Sequence, residues 1–177
     1  CSETYTKHIN KSDRSTAPIF SDAASAFFIN KKNLPSILST FSYTDGSGGK
    51  NLCLKEDEKG KKNLFMHGTN VFTFTAEKVP FATKKILEKA NLKLEEIKYF
   101  IFHQASSVVL TTIRDKLEIK NELFFNDAKD YGNTVSSTIP IALIQLEEKN
   151  ILPKKQPILI MGFGVGYSLC GGIFIFD

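Results

Sequence analysis

The chain has 177 residues, 42% of them hydrophobic and 15 of them Phe, which is enough to bury a sizeable core and excludes a disordered chain. No run approaches about 18 consecutive apolar residues, and Cys1-Ser2-Glu3-Thr4 lacks the basic-then-apolar layout of a signal peptide, so no membrane is expected and a cytoplasmic location is the default. The net charge of +4 comes from 23 basic residues interleaved with 19 acidic ones, without an aromatic-and-basic stripe; no nucleic-acid partner is expected, and the lysine excess favours an acidic protein.

Residues 17–29 read as an extended segment broken at Ser21-Asp22, and the polar run Asn30-Lys31-Lys32-Asn33 marks a boundary near residue 30. Alternation over residues 37–43 predicts a strand, which Asp45-Gly46-Ser47-Gly48-Gly49 ends with turn chemistry. Residues 55–63 are mostly charged and are expected to form a solvated loop. Val71-Phe72-Thr73-Phe74-Thr75 alternates like a strand. Val79, Ala82, Ile86, Leu87 and Ala90 then fall on one face of a helix, with Pro80 in its first turn.

Residues 97–102 form a short apolar run that suits a strand covered on both faces in a parallel sheet. A helix follows, capped by Ser106 or Ser107, with Val109, Ile113 and Leu117 at the four-residue spacing of one buried face. Leu123-Phe124-Phe125 reads as a further strand. Residues 135–149 read as a helix behind the turn Gly132-Asn133-Thr134, with Pro140 in its first turns. Residues 157–161 and 172–176 are two last strands separated by a glycine-rich turn. Strand, helix, strand, helix, strand, strand is an α/β layer pattern.

In open α/β sheets ligands bind beyond the carboxyl ends of the strands, where His103 and Gly162-Phe163-Gly164 both stand. A neutral imidazole and the NH2 of Asn133 can together stabilise a developing negative oxygen, and the glycines after Met161 free backbone N–H groups for a second one. Each element also has a plain structural reading: a hydrogen-bonded strand-end His, a Gly-Asn turn, and glycines that let two strands approach closely. His8 and His67 sit in polar surroundings without partners at metal spacing, so no metal site is expected. The three cysteines, Cys1, Cys53 and Cys170, are far apart and form no C-x-x-C pair, which speaks against a disulfide framework or a zinc site. Cys1 itself reads as a cut end.

The order of the motifs narrows these readings. His103-Gln104-Ala105-Ser106, then Gly132-Asn133-Thr134-Val135-Ser136-Ser137-Thr138-Ile139-Pro140, then Gly162-Phe163-Gly164-Val165-Gly166 resembles the carboxyl half of the 3-oxoacyl-acyl-carrier-protein synthase III family. Asp13-Arg14-Ser15-Thr16, residues 20–26 and residues 66–72 are similar to upstream family segments in the expected order. The resemblance implies a thiolase-like half with a mixed five-stranded sheet covered by helices. Residues 1–30 would be the last strands of the amino-terminal half, and residues 31–177 the carboxyl-terminal half.

By the same resemblance, a family cysteine upstream of this chain takes an acyl group from a coenzyme A thioester. It then passes that group to the carbanion left when malonyl-carrier protein loses carbon dioxide. His103 and Asn133 match the catalytic His and Asn that donate to the enolate oxygen; Phe163 matches a pocket aromatic, and the Gly164-Val165 turn an oxyanion-holding backbone. No cofactor is implied beyond the coenzyme A of the substrate. The implied partners are acyl carrier protein, acyl-CoA and a second copy in a homodimer. Val108 stands where the family often has an Arg that holds carrier-protein or coenzyme A phosphate, so docking is expected to fall on Lys84, Lys85, Arg114 or Lys116. Two alternatives remain: an acyltransferase of the same fold that does not condense, and a catalytically silent thiolase-like subunit that binds carrier protein.

Overall fold

Hydrophobic alternation along two neighbouring strands sets the layers of the molecule. In the computed structural model, which describes residues 1–29 and 34–177, the strands are β1 (Ser2–Glu3), β2 (Ala23–Ala24), β3 (Ser36–Thr44), β4 (Leu52–Glu56), β5 (Lys62–Met66), β6 (Tyr99–Phe102), β7 (Pro157–Gly164) and β8 (Ser168–Ile175). The helices are α1 (Gly68–Ala90), α2 (Ser107–Lys116), α3 (Ala128–Tyr131) and α4 (Thr138–Glu148). Phe100 and Phe102 of β6, with Leu159 and Met161 of β7, point into a core shared with Ile86 of α1 and with Leu110 and Ile113 of α2. Ile101 and Ile158 point the opposite way, against Ala142 and Leu146 of α4. Both faces are therefore covered, and period-two side chains serve two cores at once.

The central sheet runs β3-β8-β7-β6, antiparallel except for the β7–β6 pair, which is parallel. This is the mixed sheet of a thiolase-like α/β fold. Four full strands lie in it among the described residues, and the fifth position, beyond β6, is a single parallel bridge between Phe100 and Phe124. Leu123-Phe124-Phe125 is thus not a strand. Asn121–Leu123 is a 3-10 turn, and the burial of Phe124 and Phe125 in opposite cores explains the apolar run that suggested one. Gly172 fits the sheet because a Cβ there would lie 2.6 Å from the Ser39 carbonyl oxygen of β3.

Three further expectations are corrected. Residues 71–75 lie inside α1, so Pro80 sits mid-helix rather than in a first turn. Burial of Phe74 and Thr75 outweighs their strand propensity, and the Thr75 hydroxyl returns to the carbonyls of Val71 and Phe72 at 3.1 and 2.9 Å. The charged stretch 55–63 is exposed as expected, yet it is the β4–β5 hairpin, with Glu56 opposite Lys62. The Asp57 carboxylate organises the tip by accepting the N–H groups of Lys59 and Lys61 at 3.0 and 2.9 Å. Residues 17–29 are not continuously extended: turns run to Ile19, and the ladder there is β2 against β1. The boundary expected near residue 30 falls at residues 30–33, outside the described residues.

Candidate active site

β6 ends at Phe102 opposite Met161 of the parallel β7, which runs on to Gly164, so the segment leaving β6 meets the last residues of β7 at one rim. The N–H of His103 donates to the Met161 carbonyl at 2.9 Å, which extends the β6–β7 ladder by one residue and fixes where the imidazole leaves the sheet. Beyond it the chain turns, Ser106 accepts the N–H of Val109 at 3.3 Å, and α2 begins. Gln104 locks the turn. Its NH2 donates to the Phe102 carbonyl at 2.7 Å, and its Oε1 accepts the N–H of Asp127 at 2.9 Å. Phe163, two residues past Met161, meets the His103 ring edge-on, with centroids 5.3 Å apart and planes at 85°.

Asn133 reaches the same place by a different route. Gly132 has φ +68° and ψ −165°, a region essentially reserved for glycine. A Cβ there would stand 3.1 Å from the Ile19 carbonyl oxygen. The close approach exists because residues 19–21 strap the loop: the Asn133 N–H donates to the Ile19 carbonyl at 2.8 Å, and the Ser21 N–H to the Asn133 carbonyl at 3.0 Å. The Asn133 Oδ1 accepts the N–H of Val135 at 2.9 Å, and Val135 is held at φ +54°, which is unusual for a β-branched residue. With Oδ1 engaged, the NH2 of Asn133 has no hydrogen-bond partner among the described residues.

His103, Asn133, Phe163, Gly164 and Val165 all line one cavity of about 460 Å³, so the structure brings five of the predicted residues together. The rest of the wall is largely apolar and comes from Phe20, Leu52, Met66, Val71, Phe72 and Phe74, among others. Among the described residues the lining holds no Asp, Glu, Lys, Arg or Cys. Burial without a countercharge pushes the His103 imidazole down to about 4, although the Val135 backbone favours its protonated form. The ring is therefore neutral at physiological pH. A neutral imidazole and an amide can hold a developing oxyanion without an ion pair to desolvate, and each such donor in a dry pocket stabilises it by about 3 kcal/mol.

The other predicted residues lie elsewhere. Lys84, Lys85, Arg114 and Lys116 do not line the cavity. Lys85 pairs with Glu88 at 2.7 Å, and Arg114 pairs with Asp115 at 2.7 Å while donating to Asn121. Val108 does line the cavity and is 68% exposed, so its mouth carries an apolar side chain. Cys1, Cys53 and Cys170 are unpaired and away from the lining. The exposed His67 accepts the Asn70 N–H at 3.4 Å and caps α1. Sequence reasoning missed Thr138, which is 3% exposed and stands behind the imidazole with Oγ1 2.7 Å from Nδ1. Only its place five residues after Asn133, at the start of a helix, hinted at that role.

The cavity thus opens at one rim of the mixed sheet of a thiolase-like fold. The family model described as 3-oxoacyl-[acyl-carrier-protein (ACP)] synthase III C terminal matches residues 87–175, and that described as 3-oxoacyl-[acyl-carrier-protein (ACP)] synthase III matches residues 1–46. The chain belongs to the 3-oxoacyl-[acyl-carrier-protein] synthase III family. It is similar to the β-ketoacyl-[acyl-carrier-protein] synthase III of Clostridium novyi (strain NT), with 33% identity over 176 residues covering 94% of this chain and 54% of the relative. The protein of that description from Lactococcus lactis subsp. lactis (strain IL1403) is 34% identical over 178 residues, covering 94% of this chain and 55% of the relative. The crystallised β-ketoacyl-[acyl carrier protein] synthase III of Thermus thermophilus superposes with a TM-score of 0.84 at 27% identity, covering 99% of this chain and 57% of that one. The chain thus spans about half the length of the curated relatives it matches. No described helix is long and apolar enough to cross a membrane.

Proposed function

We propose that this chain supplies the decarboxylation half of a 3-oxoacyl-carrier-protein synthase III, with the nucleophilic cysteine contributed by the remaining length of the protein. The observation that carries the reading is the convergence of His103 and Asn133 on one largely apolar cavity whose described lining holds no charge. A malonyl thioester sheds its carboxylate as carbon dioxide, and the electron pair left behind becomes an enolate whose oxygen the His103 N–H and the Asn133 NH2 hold. The enolate carbon then attacks the acyl-cysteine carbonyl, the new C–C bond forms, and the cysteine sulfur leaves as thiolate. Backbone N–H groups of Gly164 and Val165, which line the same cavity, hold the oxyanion of that step in this reading. Apolar walls favour carbon dioxide over the carboxylate it comes from, because the product needs no solvation of charge. The partners are acyl-CoA, from which the acyl group comes, and acyl carrier protein; the protein acts as a cytoplasmic homodimer and needs no further cofactor.

In the full-length protein, His103→Ala and Asn133→Ala should each lower malonyl-carrier-protein decarboxylation by about 100-fold or more while leaving acylation of the cysteine by acyl-CoA within a few-fold. Intact mass reads the acylation, and released carbon dioxide reads the decarboxylation. Equal loss of both steps, or a full-length protein that never acylates, would sink the reading.

A further inference from the structure

A neutral imidazole can serve as a donor through Nε2 only if Nδ1 carries no proton, and the residue that meets Nδ1 is Thr138. Its hydroxyl has one proton and two acceptors within reach, the His103 Nδ1 at 2.7 Å and the Val135 carbonyl at 3.0 Å. If that proton goes to the Val135 carbonyl, then Nδ1–H donates to Thr138 and Nε2 presents a lone pair to the cavity. If it goes to Nδ1, then Nε2–H faces the cavity as a donor beside the Asn133 NH2.

We propose that Thr138 is a positioning residue that directs its hydroxyl proton to Nδ1 and so holds His103 as the Nε2–H tautomer. This deepens the proposed function and rests on it for its catalytic consequence. Three observations support it. The Val135 carbonyl already accepts the N–H of Thr138 where the 3-10 turn Val135–Ser137 closes, so it does not depend on the hydroxyl. The contact to Nδ1 is the shorter of the two, and an sp² ring nitrogen is a better acceptor than a carbonyl that already has a donor. Thr138 is buried at the start of α4, which fixes its backbone relative to the ring. Among the described residues no charged side chain competes for the proton: the groups facing the ring are Phe163, Thr138 and the Val135 backbone, and Tyr5 is the other titratable residue described on the cavity wall.

The test is made on the full-length protein labelled with 15N-histidine, with the His103 signals assigned by their loss in His103→Gln. Two-bond 1H–15N correlations read the tautomer. Wild type and Thr138→Ser should show Nε2–H, whereas Thr138→Val should turn predominantly to Nδ1–H, donating to the Val135 carbonyl. The kcat for malonyl-thioester decarboxylation should fall about 10- to 100-fold in the valine variant at little-changed KM, and the serine variant should recover to within about 3-fold of wild type. Thr138→Ala replaces the valine variant if that one does not fold. An Nδ1–H tautomer in wild type, or Nε2–H persisting without the hydroxyl, would overturn the assignment. A wild type that shows Nε2–H but decarboxylates no malonyl thioester would overturn the proposed function and leave the tautomer assignment standing.

Discussion

His103 and Asn133 face one cavity but are held there in opposite ways. His103 leaves the end of a buried parallel strand pair, anchored by a ladder bond to Met161 and by Gln104 behind it. Asn133 hangs on a loop with two residues at positive φ, Gly132 and Val135, tied across the chain to Ile19 and Ser21. The first is positioned by regular structure with a large hydrophobic core beneath it. The second is positioned by a few specific bonds that offset local backbone strain of about 1–3 kcal/mol per unusual residue. One side chain of the pair is therefore held by regular structure, and the other depends on residues more than a hundred positions earlier in the chain.

The largest expected effect tests the histidine side. An unfolded His binds its proton near 6.5, but burial lowers that of His103 to about 4. Below pH 6.5 the unfolded state takes up a proton that the folded state does not, so stability falls as pH drops from 6.5 towards 4 and this contribution levels off below that. The loss amounts to roughly 3 kcal/mol over the window. Asp13, Asp45 and Asp57, whose carboxyls are lowered mainly by hydrogen bonds, lose their contributions only below about pH 4, so the two windows separate. Urea unfolding of the full-length protein at pH 7 and pH 4.5 should show this slope in wild type and a much shallower one in His103→Gln. Parallel losses in the two proteins would mean that the imidazole is not desolvated.

The next effect falls on the asparagine side. Gly132→Ala must place a Cβ 3.1 Å from the Ile19 carbonyl oxygen and 3.2 Å from the Ser21 hydroxyl, at a φ of +68°. It should cost about 1–3 kcal/mol of stability and shift the Asn133 amide. Malonyl decarboxylation should drop about 100-fold while cysteine acylation and the His103 tautomer stay as in wild type. If the tautomer moves as well, the two donors share a scaffold and the contrast between them fails.

This contrast also explains what could be read in the sequence. The strand ending at Phe102 and the cap at Ser106 were legible because short apolar runs and capping residues are local signals. Those same signals located His103. The glycine turn expected directly after Met161 is instead strand: β7 runs on through Gly164, paired with β8, and the chain turns only at residues 165–167. Phe163 thus reaches the cavity from within β7. Asn133 was legible only as part of an ordered set of motifs, since the strap from residues 19–21 is a long-range contact that leaves no periodic trace. The helix from Gly68 was obscured because Val71-Phe72-Thr73-Phe74-Thr75 carries strand residues that a buried helix face accepts once Thr75 bonds to its own backbone. The hairpin at residues 52–66 was hidden by its charge: solvent-facing lysines and glutamates read as a loop, whereas Leu52 and Leu64 anchor it to a small core with Ile9.

The smallest effect sharpens the comparison most, because it removes a single bond of the strap. The Ser21 hydroxyl donates to the Tyr131 carbonyl, one residue before Gly132, while the Ser21 N–H holds the Asn133 carbonyl independently of the side chain. Ser21→Ala therefore leaves both backbone bonds of the strap in place and should cost only about 1 kcal/mol. Decarboxylation should fall by less than about 5-fold, since an exposed carbonyl at Tyr131 can turn to water. A drop as large as that of Gly132→Ala would show that the hydroxyl, and not the backbone pairing, sets where the Asn133 amide points. A thermal melt alongside the rate separates the two outcomes, because only the second predicts a large loss of rate at nearly unchanged stability.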